Sequence, residues 1–197
     1  LENSQCYFAS VVSTEINSSI EALLQSAGYT VTRVKTLAAV LGVCIAYPQP
    51  QQLGVDRFLG LLAAHQTKRS ALIVSVGSAL TVDLLSANGQ HHGGMITATE
   101  MIIHGAMENR FVNFRNLSGF PVGFSDNTAD ALASGARYMV LGIIEKTWRE
   151  AIQLLNEPAL PLLITGGDAE ALLPHLPDNV VHRPTLVLEG LALLARH

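Results

Sequence analysis

Charge is what this sequence has least of. Asp, Glu, Lys and Arg make up 14% of its 197 residues, against roughly 25% in an average soluble domain. The balance is mildly acidic, −4 with a pI near 5.9, so no basic field points to nucleic acid. Cysteine is scarce too. Cys6 and Cys44 stand alone, which fits a reducing cytosol and excludes a disulfide framework. No apolar run reaches the ~18 residues of a membrane span, which predicts a soluble, cytoplasmic protein with no membrane partner. Signal peptide, internal repeat, low-complexity segment and long linker are all missing from the pattern. An initiator Met is missing as well, and Leu1 to Ser4 do not resemble a natural start, so the chain reads as a piece of a longer protein.

What the chain has in excess is apolar residues, about 55% when glycine is counted and tyrosine is not, above the usual ~45–50%. That surplus predicts a substantial subunit interface. The length allows one large domain or two small ones.

The organising stretch runs from Ala71 to Gly94. Ala71 to Val76 is a short apolar run, Gly77-Ser78-Ala79 supplies small residues, and Leu80 to Leu85 reads as a second strand. Asn88-Gly89 is a two-residue hairpin signal. The result is a β-meander whose small-residue corner fits either an ordinary core hairpin or a backbone cradle for an anion.

Before it, Tyr7 to Val12 suits a buried strand, and Ser13 caps a helix carrying Ile16, Ile20, Leu23 and Leu24 on one face. Gly28 closes that helix. Tyr29 to Val34 alternates as a strand, and Leu41 to Tyr47 reads as another buried run. Pro48 and Pro50 force a loop. A helix then runs from Leu53 to His65 or Thr67, with Val55, Phe58, Leu59 and Leu62 apolar. Asp56 and Arg57 sit in its first turn, where the dipole favours the carboxylate; they fit a surface ion pair or a functional pair.

Beyond Gly94, Ala98 to Asn109 reads as a helix and 111–124 as irregular. Asp126-Asn127-Thr128 offers caps to a long helix, Ala129 to Leu155. Gly135 and Gly142 lie seven apart in it, and glycine costs up to ~1 kcal/mol in a helix interior, which predicts close backbone packing with a partner subunit. Leu160 to Ile164 is a strand that Thr165-Gly166-Gly167 turns into a helix ending near Leu173, a second anion-binding corner. Val180-Val181 is a last strand, and Pro184 precedes a terminal helix. His91-His92, adjacent on a strand, point to opposite faces and do not make a metal site.

In this order and at these spacings, the pieces resemble the type III pantothenate kinases and the related Bvg accessory factor proteins. These belong to the acetate and sugar kinase/Hsc70/actin superfamily. Tyr47, seven residues before Gly54-Val55-Asp56-Arg57, is similar to the family's tyrosine and Gly-x-Asp-Arg substrate motif. The meander resembles its Asp-x-Gly-Thr-Ala-x-Thr-x-Asp phosphate motif, ending in Gly93-Gly94. Asn127-Thr128 with Ser134-Gly135, Thr165-Gly166-Gly167 and Leu188-Glu189-Gly190-Leu191 resemble its later segments.

The resemblance implies an α/β fold of two ribonuclease-H-like lobes, residues 1–67 and 68–197, the first lobe N-terminally incomplete. It implies ATP-dependent phosphorylation of pantothenate to 4′-phosphopantothenate, the first step of coenzyme A biosynthesis, by a cytoplasmic homodimer. Asp56 becomes the general base, and Tyr47, Gly54, Val55, Asp56 and Arg57 the pantothenate pocket, joined by Thr128 from the partner subunit. Gly77, Ser78, Gly166 and Gly167 become ATP-binding, with Mg²⁺ and a monovalent cation, K⁺ or NH₄⁺. Asp83, the motif's second Asp, takes a structural or Mg²⁺-linked role.

The sequence departs from the family pattern at three places. Ser75 stands where the family has its cation-binding Asp, and a neutral hydroxyl is a weaker ligand. Thr97-Ala98-Thr99 stands where Pro-Gly is expected, and the N-terminal Asp-x-Gly-Asn-Thr loop is missing. These departures support an alternative, a non-catalytic regulatory relative that keeps fold and dimer. A hydrolase is excluded, because neither Ser75 nor Ser78 lies in a Gly-x-Ser-x-Gly elbow.

Overall fold

The computed structural model describes residues 4–197, and their contacts divide into two units. The first comprises Leu1–Ser70, Leu85–Gly93 and Thr185–His197; the second comprises Ala71–Leu84 and Gly94–Pro184. The hairpin tip and C-terminal segment thus group with the first unit, whereas the sequence-based division assigned them to the second lobe. The architecture is mixed α/β.

In the first unit, β1 (Gln5–Phe8) pairs in parallel with β2 (Thr30–Arg33), joined by α1 (Thr14–Ser26). β1 stops at Phe8, short of the expected Val12, because the fully buried Asn17 amide donates to Val12 O at 2.9 Å and ties that segment to the helix instead. Ser13 caps α1 as expected, its hydroxyl accepting from Ile16 N. Gly28, at φ 89°, ends it in a Schellman turn: Tyr29 N–H donates to Leu24 O and Gly28 N–H to Gln25 O. Of the expected apolar face, Ile20 and Leu24 are half-buried while Ile16 and Leu23 are exposed.

Leu41 to Tyr47 is not one strand. It forms most of a small hairpin, β3 (Ala39–Val40) and β4 (Val43–Cys44), turned by Leu41 and Gly42 with φ of 51° and 81°. Two successive left-handed residues make the turn that matches strand twist, and leucine in the first position hides it from a sequence reading. A 3-10 turn, Pro50–Gln52, then leads into α2 (Val55–His65), of which every residue but Asp56 is buried. α2 lies against α5 (Leu186–Ala195). The approach is close: a methyl group on Gly190 would sit 2.0 Å from Leu59 O.

The second unit holds most of a five-stranded sheet in the order β7-β6-β5-β8-β9. Its strands are β5 (Ala71–Val76), β6 (Leu80–Leu85), β7 (His91–Thr97), β8 (Leu162–Thr165) and β9 (Val181–His182). β5 pairs in parallel with β8, and β8 with β9. The expected meander is present. Its hairpin loop has three residues rather than two: Gly89 N–H donates to Ser86 O, Ser86 N–H to Gln90 O, and only Gly89 is left-handed. The Asn88 side chain, accepting from Ser86 Oγ and Gln90 N, braces this wider loop.

Against the sheet lie α3 (Glu100–Arg110) and α4 (Thr128–Leu155). Val74, Val82, Ile144, Leu162 and Ile164 are among the side chains of one apolar core. After β8, the expected helix to Leu173 is a 3-10 helix, Ala169–His175. Pro174 inside it has no N–H and cannot continue an α-helical ladder. Among the described residues no helix is long and apolar enough to cross a membrane.

Candidate active site

In the first unit, the structure brings Tyr47 and Arg57 together. Arg57 Nη1 donates to the Tyr47 hydroxyl at 3.3 Å, and the guanidinium carbon lies 5.9 Å from the ring centroid. Arg57 is 6% exposed, so whatever this guanidinium pairs with, it does so away from the solvated surface. A buried guanidinium keeps its charge and its five donors where water is scarce, which suits it to a carboxylate or amide of a bound molecule.

Asp56 follows the N-cap Gly54 in the first turn of α2 and is half-buried. The loop before it is fixed by the buried Thr36 hydroxyl, which donates to Leu53 O at 2.8 Å. Gly54 has φ −52° and ψ 137°, backbone that any residue adopts, so its conformation does not call for glycine. Space does. A methyl group there would sit 2.6 Å from Asp56 Oδ1. Glycine lets this carboxylate lie back along the helix entry, while Val55 is buried behind it.

One neighbour was not assigned a role from sequence. His91 is fully buried, and its ring lies nearly parallel to that of Tyr47, 15° between planes and 6.0 Å between centroids. His92 is exposed, so the adjacent histidines do face opposite ways. Nothing local signals the His91–Tyr47 contact, because it spans a long sequence separation.

In the second unit, the two glycine corners meet at the carboxyl ends of the neighbouring parallel strands β5 and β8, where Ser75 stands opposite Thr165. Gly77 N–H donates to Ala79 O at 3.1 Å and closes a tight turn. Gly166, at φ 102°, passes so close to β5 that a methyl group would lie 2.2 Å from Val76 O. Asp168 N–H donates to that same carbonyl. Gly77 and Gly167, by contrast, border open space, and Ser78 is exposed. One pair of glycines is therefore left for an incoming group while Gly166 serves packing. A cavity of about 260 Å³ here is lined by Val76, Thr99, Glu100 and Asp168, among others. Glu100 is neutralised by Arg137.

Ser75 is half-buried and offers a neutral hydroxyl. Among the described residues no group of three or more His, Cys, Asp or Glu side chains is placed to hold a metal ion. A neutral hydroxyl at this position is a weaker ligand for a monovalent cation than a carboxylate would be. Asp83 is buried in β6.

Thr128 is the exposed first residue of α4. The Asn127 side chain accepts from Asp130 N at 3.0 Å, and the Asp130 carboxylate accepts from the Asn127 amide and from Phe120 N. Those bonds, Asn127 first, hold the Asp130 carboxyl below its ordinary range. They pin the loop that carries the exposed Phe120, Val122 and Phe124.

Residues 1–150 match the family model described as type III pantothenate kinase. A type III pantothenate kinase from Stenotrophomonas maltophilia is 45% identical over 191 residues, covering 97% of this chain and 78% of that protein. One from Xylella fastidiosa is 42% identical, covering 96% and 77%. A Baf family protein from Campylobacter jejuni has a crystal structure that covers 100% of this chain and 84% of its own, with a TM-score of 0.63. At 23% identity that likeness concerns fold alone.

Proposed function

This chain belongs to the type III pantothenate kinase family, and from that premise we propose that it transfers the γ-phosphoryl group of ATP to pantothenate. The product is 4′-phosphopantothenate, the first intermediate on the way to coenzyme A. The observation that carries the proposal is the buried Arg57 bonded to Tyr47 beside an Asp56 carboxylate given room by Gly54.

Phosphoryl transfer asks the protein mainly for position, a proton acceptor and charge neutralisation. Pantothenate carries a carboxylate at one end and a primary hydroxyl at the other. Arg57 and Tyr47, with Gly54 and Val55, hold the acid and amide portion. The Asp56 carboxylate takes the hydroxyl proton as that oxygen bonds to the γ-phosphorus; the bond to the β,γ-bridging oxygen breaks and ADP leaves. Thr128 of a second copy completes the pocket. Gly77 and Gly167 give the nucleotide room to approach; Ser78, Gly166 and Gly167 receive it through backbone N–H groups, and Mg²⁺ bound to the ATP would neutralise phosphate charge. Ser75 gives the reaction little or no dependence on K⁺ or NH₄⁺.

The two units are read as the two ribonuclease-H-like lobes, with residues 85–93 and 185–197 joining the first, and the protein as a cytoplasmic homodimer. The dimer reading is supported by exposed apolar residues of the second unit, Tyr138, Met139 and Phe124 among them. Gly135 and Gly142 also border open space on the outside of α4.

The test is ATP-dependent phosphorylation of pantothenate by the full-length protein with Mg²⁺, in K⁺, NH₄⁺ and Na⁺ buffers. Asp56→Asn is expected to lower kcat by roughly 10²–10⁴ with KM for pantothenate retained. An equally active Asp56→Asn removes the base. Ser75 favours one second reading, a non-catalytic relative. That reading stands if wild type is inactive and Ser75→Asp does not restore turnover.

A further inference from the structure

We propose that His91 is a positioning residue for pantothenate binding, acting through Tyr47 and touching neither substrate nor nucleotide. This deepens the kinase reading, since it rests on Tyr47 lining the pocket.

Tyr47 sits in a segment with no regular secondary structure, between β4 and the turn Pro50–Gln52. No strand ladder fixes its backbone, and a half-exposed tyrosine there has staggered χ1 wells to choose from. His91 restrains it twice over. The imidazole Nδ1 accepts the N–H of Ala46, the residue just before Tyr47, at 3.4 Å. Its face lies along the phenol ring, 15° from parallel. Accepting there requires that Nδ1 carry no hydrogen of its own.

His91 is itself immobile. It is 0% exposed, its carbonyl accepts from Gln90 Nε2 at 2.8 Å, and Gln90 is bridged to Cys44 of β4. The first residue of β7 thus supplies a fixed wall against which the phenol is set, with its hydroxyl turned to Arg57. Aliphatic side chains would fill the same volume. Only a flat ring would also define the plane of its neighbour.

Loss of the ring dilutes the competent Tyr47 orientation among about three wells, and apparent affinity falls by that fraction. Loosening the Ala46 backbone adds to it. His91→Leu, which keeps the volume and removes the ring, is expected to raise KM for pantothenate about three- to tenfold. Its kcat and KM for ATP should stay within about twofold. His91→Phe, which restores the flat face but not the bond to Ala46, is expected to recover part of the lost affinity, with KM between those of His91→Leu and wild type. In a Tyr47→Ala background, His91→Leu should have no further effect, because the group it positions is gone.

A merely structural role would lower melting temperature and move all three constants together. The proposal is overturned if folded His91→Leu leaves KM for pantothenate unchanged while Tyr47→Ala raises it. It is equally overturned if His91→Leu acts undiminished in the Tyr47→Ala background, or if His91→Phe is no better than His91→Leu. Should His91→Leu fail to fold, His91→Phe against His91→Met carries the same comparison. If neither Tyr47→Ala nor Arg57→Ala changes KM for pantothenate, the pocket reading itself falls and takes this inference with it, an outcome separate from failure at His91 alone.

Discussion

At the scale of single residues, the candidate site depends on what is small as much as on what is charged. Gly54 is tolerant in backbone terms, yet a methyl group on it would collide with Asp56 Oδ1. The prediction is a separation of stability from activity. Gly54→Ala should melt within about a degree or two of wild type. Its kcat should drop about ten- to a hundredfold, because a misplacement of about 1 Å at a reacting group costs that much. Thermal melts and steady-state kinetics on the same preparation check it, and a Gly54→Ala enzyme of wild-type kcat would show the carboxylate does not need this space. Asp56, Arg57 and Tyr47 were legible because they share a spacing with a known motif. The burial of Arg57 was not, since a first-turn arginine beside an aspartate looks solvated until the helices covering it are known. His91 was invisible for a similar reason: its partner is brought near only by the hairpin loop meeting β4.

At the scale of elements, the joints are where chemistry and sequence pattern part company. Caps were readable, because Ser13 and Asn127 do locally what their side chains predispose them to do. The meander was readable from apolar runs punctuated by glycine. The β3–β4 turn leaves no signal in the sequence because leucine rarely takes positive φ, and the Gly-Gly start after β8 reads as a regular helix although Pro174 limits it to 3-10. One joint has a pH dependence. His65, at the end of α2, is buried with its ring between Gly42 and Gly89, and Lys68 Nζ donates to its Nε2 at 2.9 Å. Burial first, and the Lys68 charge second, push the imidazole below its ordinary value of 6.5. The folded chain therefore resists a proton that the unfolded chain accepts. The stability held by the neutral ring is full above the unfolded value and is lost as pH falls through the lowered folded one. Melting temperature is expected to fall as pH is lowered from about 6.5, and to fall less steeply in His65→Gln. Parallel slopes for the two proteins would remove His65 as the cause.

At the scale of the whole molecule, low charge and a high apolar fraction predict a surface that a second chain covers. Phe120, Phe124, Tyr138 and Met139 are exposed, and apolar exposure of this kind supports the dimer proposal. The dimer proposal makes Gly135 and Gly142 contact points on α4. Gly135→Leu should shift the protein to monomer in sedimentation or size exclusion. It should also reduce turnover, because Thr128 then has no neighbouring site to enter. A variant that stays dimeric and active would place the interface elsewhere.

The packing of α5 on α2 carries a consequence for biosynthesis. The helix bearing Asp56 and Arg57 leaves the ribosome about 120 residues before the helix that covers it. At synthesis rates of ~5–20 residues per second, that is a wait of roughly 6–25 s. Meanwhile Phe58, Leu59, Leu61 and Leu62, fully buried at the end, have no native cover from α5. The nascent chain is thus a natural client for holding chaperones, and this long-range closure makes folding slow for the chain's size. Deleting Leu186 to Ala195 should yield chains that remain chaperone-bound or precipitate. For the same reason, chain synthesis that stops before Leu186 would leave the apolar face of α2 without its native cover.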